Sequence, residues 1–301
     1  MFRKGSMVLM TGIAALAIAS SAWADDSNVA KNAFALQRSG VDARALAMGN
    51  AYVALANDAA AGYWNPAGLF WMAEGATHVT GMYTAGLAAD RFQNYVAVGH
   101  RFKDFGMAVS WVNDGVRDIN GYDAVGNPTT TFGEFENTII GSIGLGSDKA
   151  AFGFNVKGYL QHLAEDQFNG IGFDAGVQFK VNDMMTLGGA AQDIGGNVGP
   201  NSRLPVDFRV GAGFVPASNM KVGLDVEKVE RTDHIVFHGG MEYGVKFGDD
   251  AMAMLRGGVN DSHFSVGLGV QVSKLEADYA FTNEQEETLG SSHRVSLHAH
   301  F

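Results

Sequence analysis

The sequence predicts an all-β chain: a 14-stranded antiparallel transmembrane β-barrel with a short N-terminal plug. Three observations predict it. The first twenty-four residues read as an export signal. From about residue 76 the chain alternates apolar and polar residues with period two, in fourteen segments. The last nine residues, His293 to Phe301, alternate in the same way and stop on an aromatic side chain. Closed barrels that cross an outer membrane combine these features, with aromatic girdles at the lipid interfaces.

The export signal comes first. Arg3 and Lys4 precede an apolar run from Met7 to about Ser20, and Ala22-Trp23-Ala24 forms an A-x-A cleavage site. Residues 1–24 are therefore expected to be removed. Loss of the two basic residues Arg3 and Lys4 takes the formal charge from −11 to −13. That acidic balance argues against nucleic acid as a partner. No other stretch is long and apolar enough for a spanning helix. The chain has no Cys, so no disulfide framework holds it. Hydrophobic residues make up 47%, Gly is abundant (40 residues) and Pro rare (5).

Residues 25–75 lack strand periodicity and are rich in Ala and Gly. Too short for a domain, this stretch is expected to fold into the barrel as a plug. Residues 76–301 form the barrel itself. Its strands are expected at about 76–85, 92–102, 104–115, 133–146, 149–163, 169–181, 184–194, 203–215, 219–229, 233–247, 250–260, 262–273, 274–284 and 291–301. In the clearest run Ile171, Phe173, Ala175, Val177, Phe179 and Val181 oppose Gly172, Asp174, Gly176, Gln178 and Lys180. An even strand number places both ends of the chain on the periplasmic side. Tight turns such as Asn182-Asp183 and Asp249-Asp250 belong to that side. Longer connections fall opposite, the longest being 116–132, the best candidate for an outer lid.

The wet strand face carries Lys157, Asp174, Lys180, Asp207, Arg209, Lys221, Asp225, Glu227, Glu242, Lys246, Arg256, Glu276, Asp278 and Arg294. Two readings follow: ladders of opposite charge that fill the lumen and hold a plug, or a selective lining for an ion or polar solute. Strand glycines such as Gly239-Gly240 and Gly257-Gly258 permit close backbone approach.

The run from Ala43 to Gly68 contains Met48-Gly49, Ala51-Tyr52-Val53, Asn57-Asp58 and Trp64-Asn65-Pro66-Ala67-Gly68. It resembles the N-terminal signature of the PorV/PorQ family, which belongs with the FadL-type outer-membrane channels. The resemblance implies a hatch of roughly residues 25–71 inside a FadL-like barrel, with Met48, Gly49, Asn57, Asp58, Trp64, Asn65, Pro66, Ala67 and Gly68 as its plug or gate. Pro66 fixes its own φ and holds Asn65 extended, while Gly68 is free to take positive φ. These residues serve a gate or simply a rigid turn. The resemblance implies passive passage of a hydrophobic or amphipathic, fatty-acid-like molecule. The alternatives are a PorV-like cargo scaffold for protein secretion and a purely structural barrel. The chain is much shorter than the fatty acid channels, and the saving falls on the outer loops. Its third segment runs unbroken to Asn113-Asp114-Gly115, so a lateral gate would sit there or be absent.

Enzyme signatures such as G-x-S-x-G, H-E-x-x-H or a P-loop are missing, and no cofactor is expected. Ser292 and His293 are adjacent on a strand and point to opposite faces, so they do not form a nucleophile–base pair. His298 and His300 share the lumen face about 7 Å apart; without an identifiable third ligand they read as rim histidines rather than a metal site. Phe301 is expected to serve as the insertion signal for the barrel assembly machinery. The expected location is a Gram-negative outer membrane, and the expected partners are its lipid and a hydrophobic small molecule or secreted protein.

Overall fold

The computed structural model describes residues 34, 36–85, 91–199, 202–261, 263–283 and 291–301. The expected export signal and the start of the expected plug region therefore lie outside the described residues. The strands are β1 (Thr77–Ala85), β2 (Arg91–Arg101), β3 (Phe105–Tyr122), β4 (Pro128–Gly146), β5 (Ala150–Leu163), β6 (Asp166–Asn182), β7 (Met185–Ile194), β8 (Asn197–Val198), β9 (Ser202–Arg203), β10 (Asp207–Ala217), β11 (Met220–Val229), β12 (Val236–Lys246), β13 (Ala251–Asn260), β14 (His263–Val272), β15 (Leu275–Thr282) and β16 (Ser292–His300). All but β8 and β9 join in one closed antiparallel barrel of fourteen strands. Closure pairs β1 with β16, with Thr80 opposite His298 and Met82 opposite Ser296. The small β8–β9 hairpin lies between β7 and β10 in sequence, while those two strands pair directly.

Each expected segment coincides with a barrel strand to within a few residues, with one correction. The supposed lid at 116–132 is mostly strand: Ile119 pairs with Phe132 and Asn120 with Thr131. Only a tight turn remains. There the Asp123 carboxylate accepts from Val125 N at 2.9 Å and Asn127 N at 2.8 Å. The Asn127 backbone and side-chain donors hold that carboxyl below the usual range. The reason is β-propensity: Thr129-Thr130-Thr131-Phe132 suits a pleated surface better than a loop. β3 and β4 are consequently 18 and 19 residues long, while β7 and β10 have 10 and 11. One wall of the barrel is taller than the other.

The barrel is inside-out. Arg256, Arg209, Asp174 and Arg294 are 5%, 5%, 1% and 1% exposed, whereas Val156, Phe154, Leu268 and Leu297 are 53–62% exposed. Burial alternates along β5 from Ala151 to Tyr159, and along most of β14 and β16. An apolar exterior around a charged interior is what hydrocarbon outside requires, and the opposite of what water requires.

Residues 36–72 run through this interior. They form a 3-10 turn (Leu36–Ser39), helix α1 (Ala43–Ala47), helix α2 (Ala61–Trp64) and a second 3-10 turn (Pro66–Trp71). The helices are single turns because the sequence interrupts them: Gly40 and Gly49 take positive φ, and Asn65 is extended ahead of Pro66. The Asp42 carboxylate caps α1 by accepting from Arg44 N. Small residues let the segment pack tightly, and Val41, Ala43, Tyr52, Val53, Ala60 and Leu69 have no exposed surface.

Candidate functional site

The contact between inner segment and barrel wall is built on wall glycines. A Cβ at Gly153 would lie 2.2 Å from Ala67 N, at Gly176 2.2 Å from Asn65 Oδ1, and at Gly106 2.3 Å from Leu69 O. On the opposite wall a Cβ at Gly223 would lie 2.3 Å from Ala51 O, at Gly240 2.2 Å from Met48 O, and at Gly258 2.2 Å from Gly49 N. The segment's backbone thus presses on successive strands, which only glycine permits. This accounts for much of the glycine on the wet strand face.

Hydrogen bonds fix the register. Asp225 accepts from Tyr52 N at 2.8 Å and Val53 N at 2.9 Å. Asn65 donates to Val53 O at 2.8 Å and to Val177 O of β6 at 3.0 Å, while its Oδ1 accepts from Ala67 N at 3.2 Å. Gln178 donates to Val53 O and Ala56 O at 3.0 and 3.1 Å, and Asn155 to Gly62 O at 2.7 Å. Trp64 Nε1 donates to Val41 O at 3.1 Å.

Ion pairs add three clusters. Arg44 of α1 reaches Glu242 at 2.9 Å and Asp58 at 3.3 Å; Arg256 reaches Glu242, Glu276 and Asp278 at 2.7, 3.0 and 2.5 Å. Lys157 bridges Asp174 at 3.0 Å and Asp193 at 2.8 Å, and Tyr159 donates to Asp193 at 2.6 Å. Arg209 donates to Glu227 and, at 3.0 Å, to Asn50 O; His238 Nε2 stands 2.8 Å from Glu227. Burial opposes ionisation of Asp58. The adjacent Arg44 guanidinium and the Tyr52 hydroxyl, at 2.8 Å, nonetheless hold its carboxyl below the usual range.

The structure thus brings Asp174, Lys157, Arg209, Glu227, Glu242, Arg256, Glu276 and Asp278 into clusters, with Asp225 on the segment backbone. Asp207 stands 3.9 Å from Arg209, and Arg294 is buried under Ser39. Lys180 is a correction: it lies at the exposed rim with Nζ 3.8 Å from the Trp71 ring centre, outside the ladders. Gly68 is another. Its φ is not positive; it matters because a Cβ there would meet Ala56 O at 2.1 Å. At Asn113-Asp114-Gly115 the third strand stays paired to both neighbours, so the wall is unbroken there. Arg44, Asn155, Gln178, Asp193 and His238 escaped the charge-based reading. Gln178 was visible only as a wet-face position, and Asp193 fell at the end of the expected strand 184–194.

At the end of the barrel away from Thr77 and His300, the wall changes. β7 ends at Ile194 while β6 continues, and the β8–β9 hairpin takes over its edge, with Gly199 N donating to Asn169 O at 2.9 Å. Phe34, Tyr159, Val198 and Leu204 pack into an apolar cluster behind it. Beside the hairpin opens a cleft of about 890 Å³, lined by Ile139, Gly158, Leu160, Phe168, Ile171 and the amides of Asn169 and Asn197. A second, polar hollow of about 200 Å³ lies at the same end between Arg38, Asn50, His238 and Arg294.

No family model and no curated protein matches this chain. Solved structures do. The toluene transporter TbuX of Ralstonia pickettii superposes with TM-score 0.65 at 13% identity, covering 87% of this chain and 98% of that one. The fold is that of the FadL-like barrels. The CymD monoaromatic hydrocarbon channel matches with TM-score 0.64 at 12% identity, covering 87% and 97%. The Pseudomonas putida toluene transporter TodX matches with TM-score 0.61 at 12% identity over the same shares.

Proposed function

We propose that this chain is an outer-membrane channel for hydrophobic or amphipathic small molecules, held closed by its inner segment. One observation carries the reading: the barrel shares its architecture, over 87% of the chain, with proteins described as toluene transporters and a monoaromatic hydrocarbon channel. The apolar exterior supports the membrane setting, and the absence of enzyme motifs in the sequence agrees with a transport role. The cleft at the hairpin suits such a solute. Ile139, Leu160, Ile171 and Phe168 offer apolar contact, and the Asn169 and Asn197 amides offer hydrogen bonds to a polar end. In this reading the solute enters at the cleft. Passage inward requires displacement of residues 43–68, whose Asn65, Asp58 and Met48-Gly49 contacts hold the closed state.

Uptake tests it. Cells of a Gram-negative strain lacking its own hydrocarbon channels are given radiolabelled toluene or a labelled long-chain fatty acid, with and without this protein. Uptake above the empty-vector level is expected for at least one solute. Gly158→Trp, which fills the cleft from outside, is expected to reduce that uptake while leaving heat-modifiable barrel in the membrane. Vector-level uptake of both solutes by folded protein refutes the reading.

A further inference from the structure

We propose that Asp42, Asp278 and His298 form a binding site for a zinc-class divalent metal ion that pins the inner segment to β15 and β16. Asp42 lies in the inner segment just ahead of α1, Asp278 in β15 and His298 in β16, so the three donors come from both bodies that meet here. His298 Nε2 stands 3.2 Å from Asp42 Oδ1 and 3.1 Å from Asp278 Oδ2. One ligand atom from each residue lies within 4.8 Å of the others. Tetrahedral zinc with arms of about 2.0–2.1 Å gives donor separations of about 3.3 Å, close to both distances from His298 Nε2.

Three further features point to a cation. First, Asp42, Asp278 and His298 are 0%, 2% and 6% exposed. Asp42 Oδ2 has no hydrogen-bond partner among the described residues. Buried polar atoms without partners are costly, and a bound ion removes the cost. Second, the imidazole is oriented from behind, with His298 Nδ1 3.1 Å from the buried Thr80 hydroxyl. With Nδ1–H donating to that hydroxyl, the Nε2 lone pair faces the two carboxylates, the tautomer a metal-bound histidine requires. Third, the charges do not balance. Among the described ion pairs of this cluster, the carboxylates are Asp42, Asp58, Glu242, Glu276 and Asp278, against the permanent cations Arg44, Lys221 and Arg256. With His298 neutral, two negative charges are in excess, which one divalent ion neutralises. The mixed nitrogen and oxygen donors suit zinc rather than calcium or magnesium, which favour all-oxygen sites.

Purified full-length protein in detergent is stripped with EDTA, reloaded with zinc, desalted and assayed for metal by mass spectrometry. About one zinc per chain is expected, with His298→Gln and Asp278→Asn each losing it and His300→Gln keeping it. Thr80→Val, which releases only the back of the ring, is expected to weaken binding roughly 10- to 100-fold. Cobalt in place of zinc is expected to give the visible absorption of a tetrahedral nitrogen–oxygen site in the parent and not in His298→Gln. Heat-modifiability confirms that each variant is folded. Zinc retained no better by the parent than by folded His298→Gln overturns the proposal. So does a parent that retains none, which would leave a protonated His298 as the neutralising charge.

Discussion

A single methyl group added at Gly153 is expected to unseat the inner segment without disturbing the barrel. The Cβ of Gly153→Ala would lie 2.2 Å from both Ala67 N and Pro66 C, and 2.7 Å from Pro66 O. All three are backbone atoms, and Pro66 is rigid, so no side-chain rotation relieves the contact. Overpacking of this kind costs about 1–3 kcal/mol. Every ~1.4 kcal/mol is tenfold in population. The unseated fraction therefore rises by roughly 5- to 150-fold. Because the chain has no Cys, a single Val53→Cys reports seating with no background: Val53 is 0% exposed. Its rate of maleimide labelling is expected to rise in Gly153→Ala by that factor. Gly141→Ala in β4 is the control, since a Cβ there meets nothing within 4 Å. Equal labelling in the two variants, with both barrels heat-modifiable, refutes the idea that wall glycines are seats for the segment.

Two further outcomes follow from the same contacts. Asp225→Ala strips the acceptor from the buried Tyr52 and Val53 amides, at a cost of about 1–3 kcal/mol for each donor left unpaired; labelling of Val53→Cys is expected to accelerate at least as much as in Gly153→Ala, and an unchanged rate contradicts the assigned anchor. Acid should also release the segment. The folded-state carboxyl of Asp58 lies below its usual value, so its stabilising contribution is present above the ordinary carboxylate range and is lost as pH falls through the depressed value; the emission of buried Trp64 should shift to the red over that window, less steeply in Asp58→Asn, and an identical profile in the variant argues against the Arg44–Asp58 pair as a clasp.

The barrel was legible in the sequence because period two is a direct consequence of pleated geometry with unlike solvents on its faces. Ile171 to Val181 displayed it without ambiguity. The extension of β3 and β4 was not legible, since Val116-Arg117-Asp118 and Gly126-Asn127-Pro128 carry turn chemistry and only pairing across the hairpin extends the strands. Wet-face charges were visible, but their partners were not: Lys157 meets Asp193, and Glu242 meets Arg44, across long stretches of chain that periodicity does not link. For the same reason the contact of His298 with Asp42 was not legible. Asp42 lies in a segment whose path through the lumen has no periodic signal. Gly68 was assigned a backbone freedom it does not use, because crowding by Ala56 is a tertiary fact.

The apolar exterior is tested most directly by Trp111. It is 40% exposed on the outer surface, with Nε1 donating to Asn137 Oδ1 at 3.0 Å, whereas Trp64 is 2% exposed inside. The protein is reconstituted in bilayers whose acyl chains carry bromine, and the emission difference between parent and Trp111→Phe isolates this one side chain. Strong quenching by brominated chains, and weak quenching by iodide in the water, is expected. Quenching by iodide with none from the bromolipid would place water against this face and contradict a membrane-spanning barrel.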